Sequence, residues 1–144
     1  MFDKLFLRRK TPPPSPPPSP DDKLDRSAPI VIELARHTLT WLQDKAPGWS
    51  AGFVRVRQEP GMTNARASYA VESRVELISA VGDPFVSGAG AIGERLVAAM
   101  GKEHGVVLLV VKSDFSYEIK FEWDDLDRWM ITKLNGATGL PAGL

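Results

Sequence analysis

The stretch GVVLLVVKSDFSYEIKFEW, Gly105–Trp123, decides the fold. Its first half, VVLLVVKS, is apolar at successive positions, so a strand there is apolar on both faces and belongs in the middle of a sheet. Its second half alternates. Tyr117, Ile119, Phe121 and Trp123 share one side, and Glu118, Lys120 and Glu122 share the other. That is the period of a half-buried strand. Only a few residues around Ser113 and Asp114 separate the two halves. A parallel crossover needs about a dozen residues or more, so the two strands form an antiparallel hairpin.

Working back from the hairpin, SGAGAIGERLVAAM holds Gly88, Gly90 and Gly93 at the spacing of a dinucleotide-binding turn. That turn requires a strand directly before the first glycine and a parallel strand after the helix. Asp114 stands 21 positions after Gly93, where an acidic partner belongs, but eight loop residues including Pro84 lie between Ser79 and Gly88. The strand that follows returns as a hairpin, and only 30 residues remain after Asp114. The expectation is no cofactor. Gly88 and Gly90 read as a flexible lead-in, with a helix over Ala89–Glu103, and Gly93 reads as the point where that helix approaches the sheet.

Further upstream, Ile30, Val31, Leu34, Ala35, Leu39 and Leu42 recur at helical spacing. Ser27 or Asp25 serves as the cap, Pro29 fits the first turn, and Pro47-Gly48 ends the helix. AGFVRVRQ, Ala51–Gln58, alternates as a strand, EPGMTN is turn chemistry, and Ala67–Ser79 reads as one longer strand. In that strand Tyr69, Val71, Ser73, Val75 and Leu77 share one face. The sum is an α+β domain with a small antiparallel sheet of about four strands. Two main helices pack on one face, in the order helix, strand, strand, helix, strand, strand, short helix. Trp41, Trp49, Tyr69, Leu96, Tyr117, Phe121 and Trp129 are the expected core. The domain spans 27–136. Residues 1–26 are expected to be a disordered tip, FDKLFLRRK, and a proline-rich spacer, TPPPSPPPSP; residues 137–144 are expected to be a flexible tail.

Composition limits the chemistry. The 144 residues carry 18 basic and 18 acidic side chains, so no global field attracts a polyanion. There is no cysteine. No apolar run approaches the roughly 20 residues of a membrane span. The N-terminus lacks a signal peptide's apolar stretch, so the expected location is cytoplasmic. His37 and His104 are the two histidines, with no ligand histidine at i+3 or i+4, and no G-x-S-x-G occurs. No catalytic or metal set is expected. Asp124, Asp125 and Asp127 form the densest acidic cluster, which reads first as a helix start. The alternating charges Arg55, Arg57, Glu72, Arg74, Glu76, Glu118, Lys120 and Glu122 read as one outward face, either plainly solvated or a recognition surface for a protein. With the hairpin aromatics assigned to the core, that face lacks the stacking platform of a sheet-type RNA reader. No nucleic acid is expected as a partner.

Three segments resemble the YezG-like immunity proteins of bacterial polymorphic toxin systems. They are an amphipathic first helix ending in APGWSAGFVRVRQ with Trp49, YAVESRVELIS, and GVVLLVVKSDFSYEIKFEWDDLDRW; the match spans about 27–129. The resemblance implies a non-catalytic protein that binds a cognate toxin domain, often a nuclease, and occludes it. It also implies a carboxylate surface for that partner, carried over to Glu72, Glu76, Glu118, Glu122, Asp124, Asp125 and Asp127. The proline-rich leader is not part of that pattern, and the neutral charge departs from the acidic members. The alternative is a chaperone of the type III secretion kind that holds an effector segment. Monomer and dimer both stay open.

Overall fold

The computed structural model describes residues 20–144. The readings of the FDKLFLRRK tip and of Thr11–Ser19 lie outside the described residues. The elements are α1 (Pro20–Lys45), β1 (Trp49–Glu59), β2 (Met62–Val71), β3 (Arg74–Ile78), α2 (Phe85–Ala99), β4 (Gly105–Lys112), β5 (Tyr117–Glu122) and a 3-10 turn (Leu134–Gly136). The sheet runs β3-β2-β1-β4-β5, and every neighbouring pair is antiparallel. The fold is α+β, with five strands where four were expected.

The extra strand comes from a tight turn inside the stretch read as one. Val71 pairs with Arg74, and Glu72 takes a positive φ of 56°. No glycine or proline marks this reversal. The turn also shifts the alternation. Tyr69 lies opposite Glu76 and Ser68 opposite Leu77, so Val75 and Leu77 leave the face that Tyr69 and Val71 occupy. Ile78, paired with Ala67, is the buried residue of β3.

The core lies on both sides of the sheet. On one side α1 and α2 cover Val54, Val56, Ala67, Leu109 and Val111 with Leu34, Leu42, Phe85 and Ile92. Leu96 and Val97 cover Val107 on the same side. On the other side Trp129 and Ile131 cover Phe53, Val106, Leu108 and Val110. This explains why β4 is apolar at consecutive positions. Its odd-numbered residues meet the helices, and its even-numbered residues meet the closing segment. All of Gly105–Val111 is buried. Leu96 and Trp129 are buried as expected, and Trp41, Trp49, Tyr69 and Phe121 are half-buried against the core. Tyr117 is the exception, 45% exposed at the outer corner of the sheet.

Both helix starts differ from the expected ones. Ser27-x-Pro29 has the look of a cap and first turn, yet α1 extends back to Pro20 with Pro29 inside it. Pro29 faces solvent, where water can serve the carbonyl it leaves without a donor. Ser27 is buried, and its hydroxyl donates to the Leu24 carbonyl at 3.1 Å. Arg26 donates to the Ala99 carbonyl at the end of α2. Residues 20–26 are therefore part of the folded unit rather than of a spacer.

Helix α2 starts at Phe85, so its glycines are helical rather than a lead-in loop. A Cβ on Gly88 would sit 2.8 Å from the His37 ring, and one on Gly93 would sit 2.6 Å from Val56. Gly93 thus brings α2 onto the sheet, as its spacing suggested, and Gly88 brings α2 onto α1. The helix ends at Gly101, φ 76°, with Lys102 N–H donating to Val97 O and Gly101 N–H to Ala98 O. This is a Schellman stop, which lies before Glu103.

Residues 124–144 cross the second face of the sheet as a strap. The closing residues expected to be a loose tail are docked. Gly139 and Pro141 are buried, the Ser68 hydroxyl donates to the Gly139 carbonyl at 2.7 Å, and Ala142 N–H donates to Met130 O at 3.0 Å.

Candidate partner-binding surface

The seven carboxylates expected to form one surface fall in two places. Glu72 occupies the β2–β3 turn, where it faces Arg74 at 3.6 Å. Glu76 lies on β3 and accepts from Arg74 Nε at 2.8 Å. Both belong to one edge of the sheet. Glu118 and Glu122 lie on β5, the opposite edge, and Asp124, Asp125 and Asp127 follow it. Four strand spacings separate the edges, about 19 Å. Glu76 shares the face of Tyr69, whereas Glu118 and Glu122 pair with Val110 and Val106 on the strap side. The outward charged face read from the sequence is therefore not continuous. Arg55, expected on it, is only 1% exposed.

The β5 corner is organised around Glu122. Its Oε1 accepts from Arg128 at 2.6 Å, and its Oε2 accepts the backbone N–H groups of Asp124 and Asp125 at 3.1 and 3.2 Å. The Arg128 guanidinium, then the two N–H groups, hold the Glu122 carboxyl down to about 2. Asp125 in turn accepts from Asp127 N–H at 3.0 Å, and Asp127 pairs with Arg57 at 2.9 Å. Glu122 is thus an internal clamp. It fixes a loop on which Asp124, Asp125 and Asp127 remain exposed.

Arg55 holds the same loop from beneath. Its Nε donates to Arg128 O at 2.8 Å, and its Nη2 donates to Leu126 O at 2.7 Å. Burial lowers its pKa, and the nearby Arg57 acts in the same direction, while Asp127 and Asp125 oppose them. The alternation of FVRVRQ placed Arg55 opposite Val54 and Val56 correctly. It gave no sign that a later segment would cover that side.

A second feature was not legible in the sequence. Between α1 and the start of α2 lies an open groove of about 750 Å³, lined by His37, Trp41, Asp83, Phe85 and Ile92 among others. The Trp41 indole donates to Asp83 Oδ2 at 2.7 Å, and Asp83 Oδ1 accepts Phe85 N–H at 2.9 Å. These bonds, the indole first, hold the Asp83 carboxyl below its usual range. His37 stacks on Phe85 with centroids 4.8 Å apart, and its Nε2 lies 2.9 Å from Phe85 O, which makes that nitrogen the donor. The Asp83 and His37 side chains therefore serve packing; Trp41, Phe85 and Ile92 give the groove its apolar wall, and Glu33, Arg36, Thr40 and Asp44 also line it. Trp41 and Asp83 are far apart in the chain, and no spacing connects them. Among the described residues no group of three or more His, Cys, Asp or Glu side chains is placed to share a metal ion. No described helix is long and apolar enough to cross a membrane.

No protein-family model matches the chain, and a search of curated proteins finds no match.

Proposed function

We propose that this chain is a non-catalytic binding protein that neutralises a cognate bacterial toxin domain by covering its active site. The observation that carries this reading is the Asp124–Asp127 loop. Its three carboxylates are solvent-facing, while Glu122 and Arg55 pin its backbone. Charges held in place before binding lose little freedom on association, and they steer a cationic partner toward one site. A nuclease cleft built for phosphates is such a partner. Glu72 and Glu76, on the far edge, are not part of this surface.

Purification under native conditions with mass spectrometry of co-purifying chains is the first test, and a stoichiometric folded toxic domain is the expected outcome. With that partner in hand, Asp124→Lys/Asp127→Lys should weaken binding by about tenfold or more, mainly through the association rate and most at low salt. Unchanged affinity would remove the loop from the interface. The α1–α2 groove favours a second reading, in which the chain holds an unfolded apolar effector segment against Trp41 and Phe85. A co-purifying chain bound through an unstructured segment, insensitive to the aspartate reversals, would select it.

A further inference from the structure

Among the described residues the outer edge of β5 is open: β4 pairs with one side of the strand, and β5 ends the sheet. Exposed edges are normally blocked by proline, bulges or charges that repel a copy of themselves. Strand β5, YEIKFE, has no proline or glycine, and its register with β4 runs without a break from Val111↔Tyr117 to Val106↔Glu122. Its charges remain as the possible block, and their order decides whether they act as one.

Two copies joined edge to edge by a two-fold axis normal to the sheet keep their helices on the same side. Directly opposed residues then share a face, so the axis passes through a residue. Only two choices oppose five residues of β5. An axis at Lys120 sets Lys120 against itself and Glu118 against Glu122, so every charged position faces its own sign. An axis at Ile119 sets Ile119 against Ile119, Glu118 against Lys120 of the second copy, and Tyr117 against Phe121 of the second copy. In that register both charged positions meet their opposites and both aromatic positions meet aromatics, each pair occurring twice. We propose that this edge is a self-association surface, on which a second copy of the chain continues the sheet antiparallel about Ile119.

The neighbouring features agree. Among the described residues Tyr117 is a large aromatic left 45% exposed at this edge, and the second copy would cover it. Glu118 and Lys120 now bridge each other at 3.3 Å on the surface. Such a pair contributes little in water, so exchanging it for two pairs between copies costs little. Glu122, which the Lys120 axis would need, is already committed to Arg128. This proposal is independent of the toxin-binding reading.

Sedimentation velocity of the full chain over a wide concentration range tests it, with Glu118→Lys, Lys120→Glu and the double exchange beside the wild type. Circular dichroism of each confirms the fold. The wild type should form a dimer. Each single reversal creates two like-charge oppositions and should raise the dimer dissociation constant by about tenfold or more. The double exchange restores opposite signs and should recover most of the affinity. A wild type that stays monomeric throughout would overturn the proposal. A dimer indifferent to the single reversals, or a double exchange no better than the singles, would equally overturn it.

Discussion

Gly93 is where a single atom decides whether the helix layer closes on the sheet. An added Cβ would lie within 2.7 Å of three Val56 atoms, so Gly93→Ala must push α2 away from β1. The expected loss is about 1–3 kcal/mol, read from urea denaturation. At Glu122 the linkage has a definite sign. Its carboxyl is held near 2 against an ordinary 4.5, so the folded state favours the ionised form. The resulting stabilisation is complete above about pH 4.5 and is lost as pH falls from there toward 2. Glu122→Gln should therefore lie below the wild type in urea melts at neutral pH, and the two curves should converge through that acid range. Parallel curves would mean that Glu122 does not clamp the loop. The Gly93 contact was readable because helix spacing aimed it at a sheet. The Glu122 clamp was not, because its partners are Arg128 and two backbone N–H groups, all on a loop whose path the side-chain pattern does not encode.

At the scale of elements, the alternating and continuous apolar patterns located β1, β4 and β5 correctly, because those strands report one buried face or two. The reading failed where chemistry that usually marks a boundary sits inside an element, or is missing from one. Ser27 and Pro29 imitate a helix start within α1, and Glu72-Ser73 reverses the chain without glycine or proline. The strap was missed for a different reason. Its residues have no period, since side chains and backbone groups contact the sheet irregularly. Ending the chain after Gly136 removes the Ser68–Gly139 and Met130–Ala142 bonds. The melting temperature should fall by about 4 °C or more. A loose tail could be removed with no shift at all.

On the scale of the whole molecule, the sheet is covered by helices on one face and by an irregular strap on the other. The α+β class was legible, since helix and strand periods alternate clearly along the chain. The candidate site was legible only in part. Asp124, Asp125 and Asp127 are neighbours in sequence and stay neighbours in space, but Glu72 and Glu76 joined them only under the assumption that every alternating charge faces one way. Strand order, which no local pattern carries, puts them on opposite edges. The strap also imposes a sequence of events on synthesis. It follows every strand of the sheet, so a chain growing from its N-terminus can assemble all five strands while Val106, Leu108 and Val110 still lack Trp129 and Ile131. During that interval the nascent chain carries an uncovered aliphatic surface, and the ribosome-bound protein is sticky in a way the finished one is not.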